Sequence, residues 1–194
     1  MKGSLSLKIS KKIYFINFNQ DTSCFCIGTD EGYEIYNSDP FKKIVSKKLG
    51  KLGVCYITML NRTNILGLIL KNTIQNDKHE NILIIWDDNK NSKIGEIEFI
   101  EKIKQIVIRK KYIVVSLSNS IYIYYLESLK LFRKLKTYSN VRGLVSITHD
   151  SQFLVACLSE TTNKTVTIYN ILEPSNKIIK IDAHKTEITY LKIS

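Results

Sequence analysis

Catalysis needs acids, bases, nucleophiles or metal ligands that a chain can bring together, and this sequence supplies few. Its three histidines, His79, His149 and His184, fall in three separate predicted turns, and no two have the spacing of metal ligands. Cys24, Cys26, Cys55 and Cys157 form no Cys-x-x-Cys knuckle. An intracellular chain of this size needs no disulfide framework, so buried free thiols are expected. Asp87-Asp88 pairs two carboxylates, but strand neighbours point to opposite faces, and a solvated turn accounts for them. The phosphate-cradling G-x-x-x-x-G-K-[ST] and G-x-G-x-x-G, the elbow G-x-S-x-G and the zinc-binding H-E-x-x-H are all missing. The expectation is no catalytic residue, no metal, no cofactor and no enzyme.

What remains is binding chemistry. The 194 residues carry 29 Lys and Arg against 18 Asp and Glu, a net charge of +11, which suits anionic partners such as acidic lipid or nucleic acid. All but four of these cations are Lys; the exceptions are Arg62, Arg109, Arg133 and Arg142, so the bidentate phosphate fork is scarce. Ile, Asn and Lys are inflated together, which compositional drift explains as well as a binding surface does. Nucleic acid is disfavoured, because the interleaved Tyr residues sit at alternating strand positions where sheet packing accounts for them. Residues 1–12 lack the apolar stretch of a signal peptide, and the run 82–86 is too short to span a bilayer. A cytoplasmic chain is expected.

The elements that must position these groups are strands. β-branched and aromatic runs separated by polar turns recur along the whole chain, whereas helical periodicity is hard to find. One segment returns four times: Tyr33-Glu34-Ile35-Tyr36, Leu83-Ile84-Ile85-Trp86, Ile121-Tyr122-Ile123-Tyr124 and Val166-Thr167-Ile168-Tyr169. Its aromatic ends, 36, 86, 124 and 169, are spaced near the about 40–45 residues of a four-stranded propeller blade. Trp86-Asp87 matches the dipeptide that names the WD repeat. The expectation is an all-β, WD-repeat-type β-propeller in one partial domain. Blade 1 covers about 11–50, blade 2 about 53–100, blade 3 about 102–137 and blade 4 about 141–182. An incomplete blade 5 over 186–194 contributes only its first strand, starting at Ile188. A sandwich or barrel is the competing all-β architecture.

Successive turns of an antiparallel meander alternate sides. Asn19-Gln20-Asp21, Arg109-Lys110-Lys111 and His149-Asp150, which follow first strands, therefore share one face with the turns 37–40 and 87–91. The turns 50–53, 138–140 and 182–185 share the other. Asn19 and Asp21 can tie their turn by side-chain to backbone bonds or meet a partner.

The stretch Phe18-Asn19-Gln20-Asp21-Thr22-Ser23-Cys24, followed by Gly32-Tyr33-Glu34-Ile35-Tyr36-Asn37-Ser38-Asp39-Pro40, resembles the start of the PROPPIN family, the WIPI-like phosphoinositide-binding propellers of autophagy. Ile85-Trp86-Asp87-Asp88, Glu96-Ile97-Glu98-Phe99, Tyr138-Ser139-Asn140 and Ala183-His184 continue the likeness. The resemblance implies a seven-bladed propeller, of which this chain is a fragment, and a peripheral, non-enzymatic effector of phosphatidylinositol 3-phosphate and the 3,5-bisphosphate. Such an effector recruits autophagy proteins, including a lipid-transfer protein, to membranes. The alternative is a scaffold that binds only proteins.

The family's lipid sites flank a Phe/Leu-Arg-Arg-Gly motif that does not occur in these 194 residues. His184 is the one matching phosphoinositide-binding position. The resemblance also implies partner contacts at Asn19 and Asp21, and at a basic turn formed by Arg109, Lys110 and Lys111. Glu34 stands where members often carry Arg, which implies a lost or reversed contact. A broken fifth blade, left with an uncovered edge, should favour self-association.

Overall fold

The computed structural model describes residues 11–72, 79–148, 153–173 and 178–193. Among them the chain folds into four antiparallel sheets of four strands, each a simple meander in sequence order. Blade 1 holds β1 (Ile13–Phe18), β2 (Cys24–Thr29), β3 (Gly32–Asn37) and β4 (Lys42–Lys48). Blade 2 holds β5 (Leu52–Met59), β6 (Ile65–Asn72), β7 (Ile82–Asp87) and β8 (Ser92–Glu98), with a single 3-10 turn at His79–Asn81 leading into β7. Blade 3 is β9 (Gln105–Ile108), β10 (Tyr112–Ser116), β11 (Ser120–Tyr125) and β12 (Leu131–Lys136). Blade 4 is β13 (Val145–Ile147), β14 (Leu154–Leu158), β15 (Thr165–Asn170) and β16 (Ile178–Asp182).

Both faces of a middle blade are apolar because both are covered. Cys24, Cys26, Tyr33 and Ile35 of blade 1 pack on Val54, Ile57, Leu66 and Leu68 of blade 2, all buried. Ile69, Leu83 and Ile85 turn the other way, onto Ile106, Ile108 and Ile113 of blade 3. Val114, Ile121 and Ile123 then meet Val145, Ile147 and Val155 of blade 4. Period-2 alternation in each strand thus feeds two junctions at once, and burying a Leu or Ile at one contributes about 1.5–3 kcal/mol.

The first strands, β1, β5, β9 and β13, lie side by side at the centre. Each is a sheet edge, so every second backbone N–H and C=O points away from its own blade and needs another partner. Side chains of neighbouring blades supply several of these partners. The Tyr56 hydroxyl accepts from Ile106 N–H at 3.1 Å and donates to the Ile106 carbonyl at 3.0 Å. Gln20 Nε2 donates to the carbonyls of Met59 (2.8 Å) and Ile108 (2.9 Å), and its Oε1 accepts from Asn61 N–H, joining blades 1, 2 and 3. Gln105 reaches the Val145 carbonyl at 3.4 Å. Blades 1 and 2 also approach through backbone, for a Cβ built on Gly28 would stand 2.3 Å from the Val54 carbonyl oxygen.

Three details depart from the sequence expectation. The apolar pattern predicts the fourth strand of blade 3 over 129–135, but β12 starts at Leu131, because Leu129 adopts a φ of 53° in the turn after Tyr125. The pattern predicts the first strand of blade 4 over 143–148, but β13 spans three residues only: Gly143 takes a φ of 70°, and Asn140 ties the preceding loop by bonds to Leu144 N–H and C=O. Residues 183–193, where the first strand of a fifth blade is expected from Ile188, join no ladder among the described residues. Ile188 instead buries itself on Ala156, Leu158 and Val166, with Leu191 and Ile193 half-buried beside it.

Candidate functional site

The turn between β1 and β2 is built around Asn19. Its Oδ1 accepts from Cys24 N–H at 3.0 Å, while its Nδ2 lies 3.1 Å from Ser23 Oγ and 3.2 Å from the Asn61 carbonyl. The side chain is buried and committed within the fold. Asp21 is exposed and accepts from Ser23 through both its hydroxyl (2.6 Å) and its N–H (3.0 Å). Those bonds, led by the hydroxyl, hold its carboxyl below the usual range. Asp21 is therefore the member of this pair open to a partner.

The same face carries the basic turn after β9. Lys110 and Lys111 project into solvent, while Arg109 folds inward. Its guanidinium donates to the carbonyls of Ile108 (3.1 Å) and Ile147 (3.4 Å), and its Nε has no partner. Burial alone, with no carboxylate contributing, lowers its pKa. Gln20 and Arg109 donate to the same Ile108 carbonyl, so the Asn-Gln-Asp turn and the basic turn meet at the mouth of a central cleft of about 510 Å3. Sequence reasoning missed Gln20 as the joint between them, since its partners lie up to 88 residues away and no local spacing announces them.

A second groove, of about 500 Å3, opens between blades 1 and 2. Arg62 and Asp88 stand over an apolar floor of Ile35, Val45 and Met59. Arg62 Nη2 bonds Asn37 Oδ1 at 2.9 Å, and the Tyr33 hydroxyl donates to Asp88 at 2.6 Å. Asp87 of the Trp-Asp dipeptide is buried and ties its own turn, accepting from Asn64 (2.5 Å) and from the N–H groups of Asn89 and Lys90.

His184 lies apart from these groups. Its N–H bonds the Lys164 carbonyl in the turn after β14, at the opposite end of the strands from Asp21 and Arg109, and its side chain is exposed. His149 and Asp150 lie outside the described residues. Burial pushes the Cys26 and Cys157 thiols up to about 12, which suppresses thiolate chemistry at both. Among the described residues no group of three His, Cys, Asp or Glu could hold a metal ion.

Glu34 lies on the face of blade 1 that turns away from blade 2. Lys11 (2.8 Å) and Lys43 (3.0 Å) donate to its Oε1, and the Tyr36 hydroxyl donates to its Oε2 at 2.6 Å. Burial raises the carboxyl pKa, but the bonds from Lys11, Tyr36 and Lys43 outweigh it and bring it from 4.5 down to about 2. A pKa depressed in the folded state gives stability that is present above the unfolded value and is lost as pH falls from 4.5 to about 2. Glu34→Gln should therefore lower stability at neutral pH by on the order of 1–2 kcal/mol, after allowing for screening at the partly exposed lysines. The difference from the parent should vanish in that acid window. Urea titrations across it check this; a gap that persists below the window would place the effect in packing instead.

No protein-family profile matches the chain. Autophagy-related protein 18 of Dictyostelium discoideum is 29% identical over 187 residues, which are 96% of this chain and 49% of that protein. The crystal structure of Hsv2 from Kluyvelomyces marxianus superposes with a TM-score of 0.75 at 23% identity, over 93% of this chain and 51% of its own. A structure of KlAtg21 in complex with the coiled-coil of AgAtg16 superposes with a TM-score of 0.69 at 24% identity, over 92% of this chain and 58% of its own. These likenesses make the four sheets blades of a β-propeller, and the chain spans about half the length of the relatives it matches. The homologues of this chain are thus the autophagy-related 18 and SVP1-like proteins, the PROPPINs.

Proposed function

We propose that this chain is a non-enzymatic propeller module that brings autophagy proteins to membranes carrying phosphatidylinositol 3-phosphate or the 3,5-bisphosphate. The observation that carries this reading is the match to autophagy-related protein 18 along 96% of the chain. In this reading the protein partner docks on the face of the Asn19 and Asp21 turn, with Lys110 and Lys111 offering charge to an acidic segment and Arg109 shaping the cleft between them. The coiled-coil bound by KlAtg21 exemplifies one class of partner, and a lipid-transfer protein is another. Residence is cytoplasmic with peripheral recruitment; among the described residues no helix is long and apolar enough to cross a membrane. In this reading His184, whose side chain is exposed, is the donor to the lipid phosphate. A protein-only scaffold is the second reading, favoured by the solitary position of His184 on the opposite face.

Reversing Lys110 and Lys111 to Glu should reduce capture of an acidic autophagy coiled-coil by about tenfold or more, since like charges then face each other. Melting should not change, as both side chains are exposed. Undiminished capture would remove this face from the reading. In liposome flotation these 194 residues by themselves, about half the length of the relatives and holding His184 as the one matching donor, should bind phosphatidylserine and 3-phosphoinositide vesicles alike and lose both with salt, because screened point charges act over about 8 Å. Selectivity for the 3-phosphate is expected only of a longer protein that carries the Arg-Arg-Gly motif. Salt-resistant, 3-phosphate-selective flotation that disappears in His184→Ala would sink the protein-only scaffold.

A further inference from the structure

The turns on the Asn19 face are not charged alike, and the difference is ordered from blade to blade. In blade 1 the turns 19–23 and 38–41 hold Asp21 and Asp39 and no cation. In blade 3 the turns 109–111 and 126–130 hold Arg109, Lys110, Lys111 and Lys130 against Glu127 alone. Blade 2, between them, is balanced, with Arg62 and Lys90 offsetting Asp87 and Asp88. Three of those four are engaged within the fold: Arg62 with Asn37, Asp87 with Asn64 and Asp88 with Tyr33. At the two ends Asp21, Asp39, Lys110, Lys111 and Lys130 are exposed. The face therefore runs from negative to positive across three consecutive blades.

Both poles are held in place. Asp21 is fixed by its two bonds from Ser23. Lys110 and Lys111 are the central pair of a tight hairpin turn, closed from Arg109 N–H to the Tyr112 carbonyl at 2.8 Å and from Tyr112 N–H to the Arg109 carbonyl at 3.3 Å. Gln20, the residue before Asp21, fixes one pole against the other. Its amide spends both donors on the Met59 and Ile108 carbonyls and its oxygen on Asn61 N–H, and Ile108 stands two residues before Lys110. Charges set at a fixed separation before binding lose little freedom when a partner arrives.

We propose that Gln20 is a positioning residue that sets the separation between Asp21 and the Lys110-Lys111 pair, and that the partner of this face is a segment of two signs, a cation meeting Asp21 and acidic residues meeting the lysines. This rests on the docking reading above and narrows it. A segment acidic along its whole length would meet like charge at Asp21 and Asp39 as it crossed blade 1, which disfavours it. The order of the poles also fixes the direction in which the segment lies.

Two peptides of identical composition test this on the 194-residue chain by fluorescence anisotropy. One carries two Lys at one end and four Glu at the other, joined by a neutral spacer of graded length; its isomer interleaves the same residues. The block peptide should bind up to about fivefold tighter than the isomer, the upper scale of an exposed ion pair, and its affinity should peak at one spacer length. Asp21→Asn should bring the two peptides level. Gln20→Asn keeps the amide but shortens its reach, and Gln20→Ala removes it. Both should flatten the dependence on spacer length although Asp21, Lys110 and Lys111 all remain. A merely structural role would lower the melting temperature and leave the peak where it is. Equal binding of the two peptides by the parent chain would overturn the two-signed partner, and a peak that survives both Gln20 variants would overturn the positioning role. If neither peptide binds, or if binding is indifferent to reversing Lys110 and Lys111 to Glu, the docking reading itself fails and this inference fails with it.

Discussion

Removing one oxygen at Tyr56 is expected to cost about 2–3 kcal/mol. Tyr56→Phe keeps the ring, its stacking on Phe15 at 4.1 Å and nearly all of its volume, so little packing is lost. It strips both partners from Ile106, which is 1% exposed. Ile106 sits on the central edge of blade 3. The ladder to β10 is carried by its neighbours, as in the bond from Lys104 N–H to the Ser116 carbonyl, so its own N–H and C=O turn toward blade 2. A buried donor or acceptor left bare costs about 1–3 kcal/mol, and here one of each is exposed to nothing. Chemical denaturation of parent and variant measures the loss. A cost under about 0.5 kcal/mol, the scale of an ordinary surface change, would mean that water replaces the hydroxyl.

A methyl group at Gly28 is expected to be worse still, about 3 kcal/mol or more, as Gly28→Ala. The added Cβ would lie 2.3 Å from the Val54 carbonyl oxygen and 3.2 Å from its carbon, both backbone atoms. Relief therefore requires the two blades to separate, which opens the junction lined by Cys26, Tyr33, Ile57 and Leu68. Gly95→Ala is the control. Its new Cβ would meet Leu129 Cδ1 at 2.4 Å, an equally short contact but with the far end of a side chain that can turn aside. The two variants should differ severalfold in destabilisation, as read from paired denaturation midpoints. Equal costs would show that the blades do not meet as closely as described.

Strands and their order were legible because each blade repeats a short-range pattern: period-2 apolar alternation, an aromatic at the end of the third strand, and polar turns between. The four-strand pattern of the blades fails only at strand ends, where local backbone geometry decides, as at Leu129 before β12 and Gly143 before β13. The candidate site was less legible. The contacts at Asn19 and Arg109 are implied only by the family resemblance, and whether a turn residue points outward depends on what stands across the centre. Asn19 meets the Asn61 carbonyl and Arg109 meets the Ile147 carbonyl, 42 and 38 residues away. The roles of Gln20 and Tyr56 are invisible for the same reason. A side chain that serves another blade's backbone leaves no periodic trace, because a carbonyl has no residue identity to read. Trp86-Asp87 is the opposite case: its Trp occupies the repeated junction row and its Asp closes the adjoining turn, both local and both repeated or motif-like.

The inner-edge bonds described above set the grain of the molecule's cohesion. Because each central strand is completed by side chains of adjacent blades, a blade is not a self-sufficient unit of stability, and the junction is. Cohesion then resembles that of a solenoid, a chain of nearest-neighbour couplings. Damage at one junction is felt by the two blades that share it and only weakly beyond. Gln20 is the exception, because its amide spans two consecutive junctions and couples them directly. The first three blades are tied into one cooperative block at the inner edge by that side chain. The inner-edge bonds to blade 4, from Gln105 and Arg109, are longer at 3.4 Å, and its shorter tie, Tyr138 N–H to the Ser159 carbonyl at 2.6 Å, lies at the other end of the strands. Opening of the structure should accordingly begin at blade 4 and proceed inward.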